Sequence, residues 1–374
     1  MKVSLPMFDV DSVRRIARAQ LAGDDEAGAA LCVYVDGHEV ICDSFGMADA
    51  RRGIAYGVDS LQITMSIAKG VTTVLLAMLI DRGQIDPGQR VAHYWPEFAA
   101  AGKGDISVAQ LFSHQAGLPL LDGGLSLALV ADRERLAQAL AAQAPLWAPG
   151  TQHGYHAVTF GHYADALFER VSGHTLCELL AGLRERLGIE IYCGLPRELG
   201  ERAVQVLREI APPAPAFVPE RDSLTFRVLT NFPEMLVEPQ AFFNGEALRS
   251  VCIPATNMYA NARSLAKLYS ALLEDGDHRL CSPQALATVT RERVRGADAV
   301  NLGEMAYGLG FQRPSALTPF SPNRAAFGHC GIGGSVAFAD PDRRLALAWM
   351  PSRIGSTSCD ARLLAVVDAV YAAL

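Results

Sequence analysis

The sequence predicts an α/β fold of the α+β type. An antiparallel sheet is built from both ends of the chain and flanked by terminal helices, with an all-helical lobe inserted between. Three observations predict it. β-rich runs occur near both ends of the chain, while the middle carries helical apolar spacing. Tight-turn signals join consecutive runs, as antiparallel neighbours require. Helical segments also lie outside the strands, near each terminus.

The elements follow in order. Ser12 to Ala22 reads as an amphipathic helix, with Val13, Ile16, Ala17 and Leu21 on one side and Ser12 as N-cap. Ala29 to Val35 and His38 to Cys42 are β-rich, and Asp36-Gly37 between them signals a hairpin. A strongly apolar helix follows from Ser66 and stops near Arg82-Gly83. Leu136 to Ala144, Gly161 to Val171 and Ala262 to Leu273 carry helical spacing. Asp86-Pro87-Gly88, Trp147-Ala148-Pro149-Gly150 and Ala211-Pro212-Pro213-Ala214-Pro215 punctuate this region as loops. Strands return at Met305 to Phe311, Ser335 to Ala339 and Leu345 to Trp349, the last two joined by a turn at Asp340-Pro341-Asp342-Arg343. A final helix runs from Cys359 to Leu374. Residues 1–65 and 246–374 therefore form the expected sheet domain, and 66–245 a mainly helical lobe with substrate-side loops. A site between the two is expected.

Composition narrows the function. The chain has 374 residues, half of them hydrophobic and a fifth charged, as in ordinary globular enzymes. A net charge of −7 provides no basic footprint for nucleic acid. Pro6, Asp9 and Asp11 interrupt any leader-like apolar core, and the longest apolar run is too short to span a bilayer. A cytoplasmic protein with no membrane partner is expected. The eight cysteines (Cys32, Cys42, Cys177, Cys193, Cys252, Cys281, Cys330 and Cys359) form no Cys-x-x-Cys pair. They read as small buried hydrophobes in a reducing compartment, with neither a metal nor a redox motif. His153 and His156 lie three apart without a carboxylate, so no metal site and no cofactor are expected.

The chemistry begins at Ser66-Ile67-Ala68-Lys69. Only four of the 33 cationic residues are lysines, and Lys69 is followed by eleven residues without a charge. One helical turn brings a lysine within reach of the serine hydroxyl. Desolvation in an apolar helix lowers a lysine's pKa and makes it a usable base. A second Ser-x-x-Lys, Ser264-Leu265-Ala266-Lys267, sits on an amphipathic helix beside Arg263, Tyr269 and Ser270 and reads as structural. Gly333-Gly334-Ser335-Val336-Ala337 lacks the last glycine of a nucleophile elbow and precedes a strand, so it is rejected as one.

Further segments follow in a telling order: Leu111-Phe112-Ser113-His114-Gln115-Ala116-Gly117-Leu118-Pro119, then Trp147-Ala148-Pro149-Gly150 leading into Tyr155-His156-Ala157, Ile253-Pro254-Ala255-Thr256-Asn257, Tyr307-Gly308-Leu309-Gly310, and Phe327-Gly328-His329-Cys330-Gly331-Ile332-Gly333-Gly334. Here the sequence resembles the serine β-lactamase and penicillin-binding-protein superfamily, in its class C-like esterase and transacylase branch. The resemblance covers most of the chain. It implies Ser66 as the acylated nucleophile, Lys69 as its proton partner and Tyr155 as the tyrosine of the Tyr-x-Asn motif. It implies that a nearby Lys69 ammonium lowers the Tyr155 phenol. It places His329-Cys330-Gly331 where the family has Lys-Thr-Gly, and pairs the backbone N–H groups of Ser66 and Ile332 as an oxyanion hole. Gly331, Gly333 and Gly334 suit close backbone approach.

Two departures narrow the substrate. His329 replaces a permanent cation that engages the carboxylate of β-lactams and cell-wall peptides. Ala157 replaces the amide that meets an acylamino group. Both argue against β-lactamase or D,D-peptidase work. Acyl transfer from a small ester or thioester survives both losses. Water as acceptor makes the chain an esterase; an alcohol or amine makes it a transacylase. A silent binding protein on the same fold is the contrasting reading. The segment from Ile189 to Gly245 matches least and is expected to carry acyl or acceptor specificity. Cys330 is either inert or a contact for the acyl chain.

Overall fold

The computed structural model describes residues 8–207, 220–276, 279–355 and 357–374. The loop expected at 211–215 lies outside the described residues. Among the described residues eleven strands occur in chain order: β1 (Gly28–Val35), β2 (His38–Asp49), β3 (Ile54–Ala55), β4 (Gln62–Ile63), β5 (Ile191–Cys193), β6 (Met258–Ala260), β7 (Val294–Ala297), β8 (Glu304–Tyr307), β9 (Phe327–Gly331), β10 (Ser335–Asp340) and β11 (Leu345–Pro351). The main sheet has six strands in the order β3-β2-β1-β11-β10-β9 and is antiparallel at each of these pairings. It joins the two ends of the chain through β1 and β11, with Leu31 opposite Trp349 and Cys32 opposite Ala348.

Strand alternation explains the layers. On one face, Leu31, Val33, Val336, Phe338, Leu347 and Trp349 pack against the helices Val10–Ala19 and Ala361–Ala373. On the other, the small side chains of Ala30, Ala337, Ala339, Ala346 and Ala348 let the helix Ala262–Ala271 approach closely. The alternation of Leu345-Ala346-Leu347-Ala348-Trp349 thus encodes a bulky back layer and a close inner one. Helices dominate residues 67–187, where Ile67–Asp81, Arg133–Ala142, Thr159–Ser172 and Leu176–Leu187 lie. β5 leaves that stretch to pair with β6, which also pairs with β4. This small sheet ties the chain just before Ser66 to the chain just after Ala255. Among the described residues no helix is long and apolar enough to cross a membrane.

Most elements lie where the sequence puts them. Asp36 and Gly37 both have positive φ and close the β1–β2 hairpin. The first helix starts earlier than expected, because Asp9, not Ser12, is its N-cap; the Asp9 carboxylate accepts from the Ser12 N–H. The strand expected at 305–311 ends at Tyr307, because Gly310 adopts φ +96° and turns the chain away from extended geometry.

Candidate active site

The helix Ile67–Asp81 is apolar on every side and buried over most of its length, so it belongs in a core rather than at a surface. Ser66 stands at its N-cap, yet its hydroxyl caps no backbone N–H and stays available. The preceding residue, Met65, has φ +49°, a conformation costing a non-glycine residue about 1–3 kcal/mol and found mostly where function demands it.

One turn on, Lys69 is 0% exposed. Its Nζ lies 3.2 Å from Ser66 Oγ, 2.7 Å from the Ala157 carbonyl and 3.0 Å from the Ala255 carbonyl. Burial holds its pKa well below the ordinary lysine value. A neutral amine has two N–H donors, which suit the two carbonyls, and one lone pair, which is then left for the Ser66 hydroxyl. Thr72 Oγ1 donates to the Pro254 carbonyl at 3.0 Å, and Asn257 fixes the same turn by accepting from the Ile253 N–H and donating to the Leu248 and Val251 carbonyls. The Ala255 carbonyl is therefore held by a rigid turn.

Tyr155 arrives from a loop of the helical region. Burial raises the pKa of its phenol, and the neighbouring Ser66 side chain opposes that rise. Its ring stacks on Tyr307 (centroids 6.2 Å apart, planes at 8°) and packs against His114 and His329. Lys69 Nζ lies over the ring, 4.7 Å from its centroid. This corrects one expectation. The amine faces Ser66, two carbonyls and the ring, and burial drives both lysine and phenol toward their neutral forms instead of an ammonium–phenolate pair.

Three buried histidines surround this group, and desolvation holds each below the ordinary imidazole range, His156 at about 3. His156 Nε2 accepts from the Leu118 N–H. Its proton therefore sits on Nδ1, which donates across 3.2 Å to His114 Nδ1. His329 sits on β9, where Nδ1 donates to the Cys330 carbonyl at 2.7 Å. Burial first of all holds it as a neutral imidazole beside Lys69.

β9 presents alternate residues to opposite faces. His329 and Gly331 face the site. A Cβ on Gly331 would meet the Thr64 carbonyl at 2.9 Å and Met65 Cβ at 3.2 Å, so only glycine lets this strand lie against the chain leading into Ser66. Ile332 follows at the turn, its side chain 55% exposed. Cys330 corrects another expectation. Its side chain packs in the back layer and its Sγ lies 3.0 Å from Cys359 Sγ, so it is no acyl-chain contact. Ala157 borders the site and gives Lys69 its carbonyl; beside it Leu120, Leu146, Leu224, Val228 and Val300 form an apolar cluster that includes Tyr155. Leu224 and Val228 come from the 189–245 segment.

Asp298 was not singled out by sequence reasoning. It is buried, and its Oδ1 accepts the backbone N–H groups of Tyr155 (3.2 Å), Val300 (2.9 Å) and Asn301 (2.8 Å). It pins the loop that delivers the phenol. The only signal for it was an aspartate preceding a turn, which many surface loops share.

Known proteins resemble this chain over most of its length. The pattern of the Beta-lactamase family matches residues 13–371. The chain is 32% identical over 353 residues to "Esterase/beta-lactamase LipL" of Mycobacterium tuberculosis, covering 91% of this chain and 81% of that one. Among solved structures it resembles a family VIII carboxylesterase (TM-score 0.88, 33% identity, 100% of this chain and 99% of that one). It also resembles a penicillin-binding-protein homologue from Caulobacter crescentus (TM-score 0.87, 34% identity, 97% of each chain). The chain belongs to the Beta-lactamase family. It is an enzyme of the serine-hydrolase type on that family's fold.

Proposed function

We propose that the protein is a carboxylesterase of small esters or thioesters that works through an acyl-enzyme on Ser66. The observation that carries this reading is the buried Lys69 amine, 3.2 Å from Ser66 Oγ, held by the Ala157 and Ala255 carbonyls and lowered in pKa by burial, which favours the neutral amine with a lone pair for the Ser66 hydroxyl. Lys69 takes the serine proton as Oγ attacks the acyl carbonyl. The N–H groups of Ser66 and Ile332 receive the developing oxyanion, a reading supported by the close approach of Gly331 to residues 64 and 65. Tyr155, whose ring lies beside the Ser66–Lys69 pair, hands a proton to the leaving oxygen or sulfur. Water then adds to the acyl-enzyme and loses a proton to the Tyr155 phenolate, while the Lys69 ammonium returns its proton to Ser66 Oγ as the acyl–oxygen bond breaks and the acid leaves.

The neutral His329 and the methyl side chain of Ala157 favour an uncharged acyl group without an acylamino arm over a β-lactam. The apolar cluster of Leu120, Leu224, Val228 and Val300 supports a short aliphatic acyl chain. Relatives named as an esterase/beta-lactamase and a family VIII carboxylesterase point the same way. A cytoplasmic setting belongs to this reading.

The test is p-nitrophenyl acetate and butyrate hydrolysis with a fluorophosphonate probe and intact mass. One adduct, mapped to Ser66 and absent in Ser66→Ala, is expected, with ester turnover far above that of a chromogenic cephalosporin. A folded protein that neither labels nor turns over esters would overturn the proposal.

A further inference from the structure

The fold brings together three cysteines that are far apart in sequence. Cys177 is the second residue of the helix Leu176–Leu187, Cys193 ends β5, and Cys252 lies just before the turn at 253–257. Cys252 Sγ is 3.0 Å from Cys177 Sγ and 2.9 Å from Cys193 Sγ, and all three sulfurs lie within 4.8 Å of one another. All three residues are half-buried.

We propose that Cys177, Cys193 and Cys252 form a binding site for a soft, thiophilic cation, copper(I) by preference. The donor set is entirely sulfur, with neither imidazole nor carboxylate in the group, and such a set selects soft ions over hard ones. A trigonal thiolate site with metal–sulfur bonds of about 2.3 Å has edges of about 4 Å. The sulfurs therefore reach it by opening about 1 Å, which rotation about χ1 provides. A disulfide would use two of these sulfurs and strand the third. The Cys177 sulfur sits in the first turn of a twelve-residue helix capped by Thr175, where the helix's N-terminal N–H groups favour negative charge, and its thiol pairs with that of Cys252. Asp165 adds negative charge nearby, tempered by Arg133 at 3.0 Å. The Asn257 amide oxygen, 3.8 Å from Cys193 Sγ, orients that thiol from outside the triangle. Spacing hid the group, since each ligand belongs to a different segment.

The test uses the whole protein, reduced and handled without oxygen, titrated with copper(I) supplied as its bicinchoninate complex. The wild type is expected to withdraw one equivalent, with X-ray absorption reporting three sulfur neighbours. Cys252→Ser and Cys177→Ser are expected to lose that equivalent. Cys32→Ser and Cys330→Ser, which disrupt the two-sulfur pairs elsewhere, are expected to keep it. Ester turnover and circular dichroism identify folded variants, and Cys177→Ser supplies the answer if Cys252→Ser does not fold. Uptake by wild type no greater than by the folded Cys177→Ser variant would overturn the proposal. So would uptake lost in Cys32→Ser or Cys330→Ser instead. A disulfide that peptide mapping places between two of Cys177, Cys193 and Cys252 in the copper-free protein as purified without added oxidant would likewise overturn it.

Discussion

The chain carries the same tetrad twice, and the two copies differ in nearly everything except spacing. At Ser264-Leu265-Ala266-Lys267 the helix is capped by Asn261, whose side chain accepts from the Ser264 N–H, and Ser264 Oγ accepts from the Glu190 N–H. That hydroxyl is committed to holding a loop, and Lys267 remains half-exposed. At Ser66-Ile67-Ala68-Lys69 the hydroxyl caps nothing, the amine is enclosed, and a phenol arrives from elsewhere in the chain. Spacing brings a serine and a lysine to one helix face; the surroundings decide whether the pair does chemistry or architecture.

The sharpest way to break this contrast is to delete each hydroxyl. Ser66→Ala is expected to lower ester turnover by about 10⁴-fold or more and to abolish fluorophosphonate labelling. Ser264→Ala is expected to label normally and to lose about 1 kcal/mol in chemical denaturation, the worth of one hydrogen bond. If the second variant stopped labelling, the assignment of the two copies would be reversed.

Deleting each amine comes next. Lys69→Met is expected to cost about 10²–10⁴-fold in the acylation rate, the usual contribution of a positioned base, while Lys267→Met leaves it unchanged. The pH profile sharpens the point. A base works when deprotonated, so turnover rises with pH through the pKa of Lys69 and levels off above it. Burial lowers that pKa, so the rise should lie well below 10.5. A wild-type rise centred near the ordinary lysine value would mean that Lys69 is charged in the working enzyme.

The first copy also depends on its distant phenol, and Asp298 holds the loop that brings it. Asp298→Ala strands three backbone N–H groups and should cost about 2–3 kcal/mol of stability along with turnover. Asp298→Asn keeps an oxygen acceptor and should cost less of both. The smallest expected effect lies at the apolar cluster. Leu224→Ala should lower kcat/KM for a butyrate ester relative to an acetate ester by a few fold, since one methylene is worth about 0.8 kcal/mol when buried.

Much of this was legible in the sequence because it is written in local codes. Alternation in Leu345 to Trp349 gave the sheet its two faces, Asp36-Gly37 gave the hairpin, and the uncharged run after Lys69 gave a buried helix. What escaped depends on three-dimensional neighbours. Asp298 acts through the backbone of other loops, and no side-chain pattern records that. The three sulfurs meet only after three segments have folded. The partners of Lys69 are main-chain carbonyls, which every residue has, so no residue type announces them. Cys330 is the instructive error. It is next to the site along the chain yet on the other side of the sheet, a consequence of strand period rather than of chemistry.

That period has a consequence for how this protein can change. The β9–β10 hairpin fixes Gly331 opposite Ser335 and His329 opposite Ala337. Gaining one residue between Cys330 and the turn at 332–334, with that turn anchored, would carry Cys330 into the site-facing position now held by His329 and put the imidazole behind the sheet. Single substitutions along this strand can tune the enzyme by degrees. A frame-preserving insertion there would instead give it a different set of reagents in one event.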